Sequence, residues 1–168
     1  MSPRRTCIGV MGGAVADART TAVAREMGRL IAANGWVLIS GGRATGVMQA
    51  SVTGAREADG LTVGILYDDD RDGGAAGLDL VIPTGMGAAR NVINILASDV
   101  VVACRGTGGT LSEIALALRF GRPVVLVDFD PGEAFLRAGA PDAEYSLVAT
   151  PAEAVERIRT YLAARDRS

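Results

Sequence analysis

Histidine is absent from all 168 residues. His-based catalytic triads, imidazole metal ligands and imidazole acid–base chemistry are therefore excluded. Lysine is absent too, so all 17 basic residues are arginine. That removes Schiff-base chemistry, covalent anchoring of pyridoxal phosphate and the lysine of a P-loop. A compositional bias toward arginine explains the gap, and the chemical exclusions hold either way. Cysteine is scarce. Cys7 and Cys104 are too few for a zinc site, and they fall in strand-like stretches. They read as small core residues kept reduced. No apolar run reaches the roughly 18 residues that span a bilayer. No dense basic run accompanies the net charge of -2. Neither a membrane nor a nucleic acid is therefore an expected partner. The N-terminal MSPRRTCIGVMGG carries two arginines before a short apolar stretch. Glycines follow at once, so the segment reads as a first strand rather than a signal peptide. A cytoplasmic location is the expectation.

The chain does have enough apolar residues, 49%, to bury a core, and a length that suits one domain over residues 1–168. Strand-like stretches occur at 6–11, 36–40, 61–66, 78–82, 99–104, 123–127 and 145–149. Helical spacing fills 17–34, 46–58, 87–97 and 109–120. Asp17 suits a helix N-cap and Gly35 a helix stop, while Thr150-Pro151-Ala152-Glu153 is a capping box that opens a closing helix. A loop with Pro131, Gly132, Gly139 and Pro141 separates the last two strands. Strands that are apolar throughout indicate burial on both faces, and alternation with helices indicates a parallel sheet. The expected fold is α/β, a single doubly wound Rossmann-like domain with a mostly parallel sheet. The segment YDDDRDGGAAG (67–77) has carboxylates that could hold Mg²⁺, but its composition reads as a solvated, mobile loop. No metal site is expected.

Four glycine-rich turns follow predicted strands: 9–14, 40–46, 83–87 and 105–110. In an open parallel sheet, ligands bind beyond the carboxyl ends of the strands. None of these turns is a dinucleotide fingerprint, because Gly9, Gly12 and Gly13 lack the G-x-G-x-x-G spacing and Gly41 stands where a ribose-binding acid is needed. The turn at 105–110 fits a phosphate. Gly106, Gly108 and Gly109 allow close backbone approach, and their N–H groups, with those of Thr110 and Leu111, open a helix whose dipole favours an anion. The Thr110 hydroxyl adds a donor. Glu113 falls in the first turn on this reading. It either stabilises the helix start or stands beside the ligand.

The segment Arg105-Gly106-Thr107-Gly108-Gly109-Thr110-Leu111-Ser112-Glu113 resembles the P-G-G-x-G-T-x-x-E turn of the LOG superfamily, Rossmann-like proteins often labelled lysine decarboxylases. Thr84-Gly85-Met86-Gly87-Ala88-Ala89-Arg90-Asn91 matches the helix that carries the family's functional arginine, here Arg90. Gly41-Gly42 with Gly46-Val47-Met48 is similar to the family's earlier glycine turn. Arg105 stands in place of the family proline and Thr107 in place of its second glycine. The combination of TGM…ARN with GTLSEIALAL resembles the branch of the molybdenum-cofactor carrier proteins. Lysine decarboxylation has no lysine to support it here.

The resemblance implies a phosphorylated small-molecule partner. A binding protein would hold a nucleotide-like ligand, with molybdenum cofactor or a nucleoside monophosphate as candidates and no cofactor required. Gly12, Gly13, Gly41, Gly42, Gly46, Met86, Arg90, Gly106, Thr107, Gly108, Gly109, Thr110 and Glu113 would form the site. The alternative is a nucleoside 5′-monophosphate phosphoribohydrolase that releases base and ribose 5-phosphate, with Glu113 and Arg90 catalytic. A ligand sensor is a third reading. Relatives imply a homodimer or homotetramer. Association is expected through 87–97 or 110–120, where Val92, Ile93, Ile95, Leu96, Leu111, Ile114, Leu116 and Leu118 exceed one core-facing stripe.

Overall fold

The computed structural model describes residues 4–138 and 142–165. Gly139 and Pro141 of the expected loop lie outside the described residues. Seven parallel strands form one sheet: β1 (Cys7–Met11), β2 (Val37–Ser40), β3 (Thr62–Leu66), β4 (Leu80–Pro83), β5 (Val100–Ala103), β6 (Val124–Val127) and β7 (Tyr145–Val148). Their order is β4-β3-β2-β1-β5-β6-β7. The chain winds outward from β1 to β4, then crosses back to β5 on the other side of β1. The point of reversal is therefore the crevice between β1 and β5, where Val10 lies opposite Val102 and Met11 opposite Ala103.

Among the described residues, six helices cover the sheet: α1 (Ala18–Ala33), α2 (Gly46–Glu57), α3 (Arg90–Ala97), α4 (Gly108–Arg119), α5 (Glu133–Arg137) and α6 (Pro151–Arg165). The first, second and sixth bury Met27, Ile31, Val47, Val52 and Ile158 against Ile8, Val10, Leu38 and Val102. On the opposite face, α3 and α4 bury Ile95, Ile114 and Leu118 against Met11, Val101 and Leu126. Each such side chain contributes about 1.5–3 kcal/mol of burial. The central strands are buried on both faces, as their apolar sequences require. The outermost strand β4 instead alternates, leaving Leu80 and Ile82 about half exposed.

The expected punctuation is present. The Asp17 carboxylate accepts from the Thr20 N–H at 2.7 Å. Gly35 adopts φ +71° after α1. Thr150 Oγ1 accepts from the Glu153 N–H at 3.3 Å, and Glu153 reaches back to the Ala149 N–H at 2.9 Å. The short helix α5 was not expected; it forms inside the predicted loop because Leu136 has a core pocket to fill. The acidic loop is tethered rather than free. Asp68 accepts two hydrogen bonds from Arg43 Nη1 at 2.9 and 2.7 Å, and the Ala75 N–H donates to the Gly42 carbonyl at 2.7 Å. No cluster of three metal-ligating side chains occurs among the described residues, and no helix there is long and apolar enough to cross a membrane.

Candidate functional site

Because all strands are parallel, the four glycine turns lie at one edge of the sheet. A cavity of about 190 Å³ opens there, at the crevice between β1 and β5. Gly12, Gly13, Gly41, Arg90, Thr107, Gly109, Thr110 and Glu113 of the expected set line it, joined by Met48 and Asn91. Gly42, Gly46, Gly106 and Gly108 stand in the same turns but shape the walls instead of lining the cavity. Met86 is half exposed outside it, at the start of the 3₁₀ turn Gly87–Ala89 that leads into α3.

Two glycines sit under close approach. A Cβ on Gly41 would stand 2.5 Å from Arg90 Nη1 and 2.8 Å from the Met48 sulfur, so a larger residue there would displace the guanidinium from its place beside the end of β2. A Cβ on Gly106 would overlap the Thr110 side chain and stand 2.8 Å from the Gly13 nitrogen. The Gly13 N–H in turn donates to the Arg105 carbonyl at 3.1 Å, locking the first and last glycine turns together. Arg105, in the place of the family proline, contributes that carbonyl; its side chain is exposed and does not line the cavity.

The cradle is the start of α4. Thr107 is the N-cap residue, and its side chain makes no capping hydrogen bond. The N–H groups of Gly108, Gly109 and Thr110 have no intrahelical acceptor, as in any first turn. Leu111 departs from expectation, because its N–H donates to the Thr107 carbonyl at 3.0 Å. Glu113 departs as well. The helix begins at Gly108, no acidic residue lies in its first turn, and Glu113 is 7% exposed one turn further on. The helix-dipole effect fades beyond the first turn, so stabilising the helix start does not account for it.

Arg90 and Glu113 are brought together in this cavity. Arg90 is also 7% exposed, and its Nε has no hydrogen-bond partner. Its guanidinium carbon lies 5.8 Å from the Tyr67 ring centroid, while Arg43 stacks on the same ring at 4.7 Å. Burial pulls the guanidinium below its ordinary range, opposed by the nearby Glu113 charge. Burial pushes the Glu113 carboxyl up to about 7, against an Asn94 hydrogen bond and the Arg90 charge. The Asn94 amide donates to Glu113 Oε1 at 3.2 Å. Asn94 and Tyr67 were not expected. Asn94 is a fully buried amide among the apolar residues Val92, Ile93, Ile95 and Leu96 of α3, which is the signal the sequence carries for it. Tyr67 was hidden in a polar loop.

The sequence profile of the SLOG cluster4 family matches residues 5–155. The chain belongs to that family. The molybdenum cofactor binding protein from the phototrophic bacterium Rippkaea orientalis is 42% identical, with a TM-score of 0.89 over 96% of this chain and 99% of that one. The molybdenum cofactor carrier protein from Chlamydomonas reinhardtii is 38% identical, with a TM-score of 0.85 over 95% and 99%. An uncharacterized protein from Archaeoglobus fulgidus is 45% identical over 117 residues, 70% of this chain and 76% of that protein. The matched residues, 5–155, include all four glycine turns, Arg90 and Glu113.

Proposed function

We propose that this chain binds a phosphorylated, nucleotide-like ligand and does not hydrolyse it, with molybdenum cofactor as the leading candidate. The observation that carries the reading is the uncapped start of α4 facing a cavity that also holds a buried arginine with an unpartnered Nε. Free first-turn N–H groups and a guanidinium make an anion site without lysine. The two solved relatives named for this cofactor support its identity. No thiol or imidazole lines the cavity. The grip on such a cofactor comes through its phosphate and ring edges, not through its metal. About 190 Å³ takes a phosphate and little more, since enclosing sites for whole ligands run about 300–1,000 Å³. The remainder of the ligand therefore lies across the rim, where Met86 and Tyr67 are exposed. The protein acts in the cytoplasm as a homo-oligomer.

A second reading, phosphoribohydrolase, is favoured by one observation: Arg90 and Glu113 share the cavity. Glu113 would orient a ribose hydroxyl or the attacking water, and offset oxocarbenium-like charge. Incubation with a panel of nucleoside monophosphates, scored for free base, separates the two. The binding reading expects none released and tight retention of a phosphorylated pterin. Release of base by the wild-type protein, lost in Glu113→Gln, would establish the enzyme.

A further inference from the structure

Among the described residues, Glu113 is the one acidic side chain lining the proposed anion cavity. It lines the same 190 Å³ as the Thr107, Gly109 and Thr110 cradle. The groups that face it do little to neutralise it. From α3 come Arg90 and Asn94, and only Asn94 donates to the carboxyl. Arg90 is directed instead beneath Gly41 toward Tyr67, with Asp68 and Arg43 beyond. From β1 comes the Met11 sulfur, 3.9 Å from the Asn94 amide nitrogen. The strands beneath α4 present apolar side chains such as Ala103 and Leu126. Arg90 is thus the one cation in the cavity wall among the described residues, and an incoming dianion would compete with Glu113 for it.

Two negative oxygens placed side by side in so small a space oppose each other's ionisation. We infer that Glu113 binds the ligand as the neutral acid, taking a proton from solvent and donating it in a hydrogen bond to an anionic oxygen of the ligand. Binding is then coupled to uptake of one proton, and no covalent bond is made or broken. The carboxyl is already disposed to this, since burial holds it near neutrality before any ligand arrives. The inference rests on the anion-binding reading of the cavity.

The test uses sulfate, a dianion whose own charge is constant between about pH 6 and pH 8.5, titrated calorimetrically into the intact protein. If only the protonated form binds, the apparent dissociation constant rises by about 30-fold across that interval, because the competent fraction falls as Glu113 ionises. Repeating the titration at the upper pH in buffers of different ionisation enthalpy should show close to one proton taken up. Glu113→Gln, a neutral donor at every pH, should bind sulfate with little pH dependence, no proton uptake, and more tightly than wild type at pH 8.5. Sulfate binding by wild type with no proton uptake and no pH dependence would overturn the inference while leaving the anion site intact. No sulfate binding at either pH would overturn the anion-site reading itself, and the inference with it.

Discussion

Glu113 carries a stability cost that follows from where it sits. Its carboxyl ionises near 4.5 in the unfolded chain and near 7 in the folded one. Between those values the folded state binds more protons, so stability falls as pH rises and then levels off above about 7. Glu113→Gln removes this loss. Denaturant unfolding should therefore show the variant more stable than wild type at pH 8, by on the order of 3 kcal/mol at most, with the gap closing near pH 4.5. A gap independent of pH would mean that the carboxyl is not buried as described. Gly41→Ala probes the other side of the cavity. Its added methyl group displaces Arg90 from a contact of 2.5 Å. Sulfate affinity should drop by about tenfold or more, the loss of one charge-assisted hydrogen bond, while the unfolding midpoint moves little. The glycine turns and Glu113 were legible in the sequence from their places after predicted strands, whereas Arg90 was marked by the family resemblance alone. Asn94 and Tyr67 were not, since their roles depend on which turns meet across strands far apart in the chain.

At the scale of elements, the proposed function has α4 trade stability for a binding site. A helix start without a side-chain cap forgoes about 1 kcal/mol. Thr107→Asp should recover it, because an aspartate at this position accepts from the N–H groups of the first turn and complements the dipole. The same carboxylate would fill the cradle with the wrong charge. The expected outcome is a higher thermal midpoint together with loss of sulfate binding; a stabilised variant that still binds would place the anion elsewhere. At the far end of the chain, α6 has the cap that α4 lacks. Both ends of α1 and the start of α6 were legible from Asp17, Gly35 and Thr150. The short α5 was not, since five residues carry too little periodicity to reveal a helix. The 67–77 loop misled in the same way. Its composition is that of a solvated loop, but the tether from Arg43 to Asp68 joins residues 25 apart and leaves no local pattern.

For the whole molecule, the alternation of apolar strands and helices was enough to give the parallel doubly wound sheet. It did not show that β4 would be an exposed edge, because LDLVI is as apolar as the buried strands. Most of the excess apolar surface on α3 and α4 is accounted for within the chain, with Ile95, Ile114 and Leu118 in the core and Val92, Ile93, Leu111 and Leu116 partly buried. Leu96 and Phe120 remain about half exposed, near the same end of the two helices. Self-association through this face predicts that light scattering reports a dimer or tetramer, and that Leu96→Glu with Phe120→Glu shifts it to monomer. A wild-type monomer at high micromolar concentration would refute the association. The central claim is that the cavity at the β1–β5 crevice retains a phosphorylated ligand unchanged. It is tested most directly by native mass spectrometry of the chain after exposure to a mixture of phosphorylated pterin and nucleoside monophosphates, with the supernatant chromatographed. The account predicts one pterin bound per chain and every monophosphate intact; no bound pterin, with free base accumulating in solution, would contradict it.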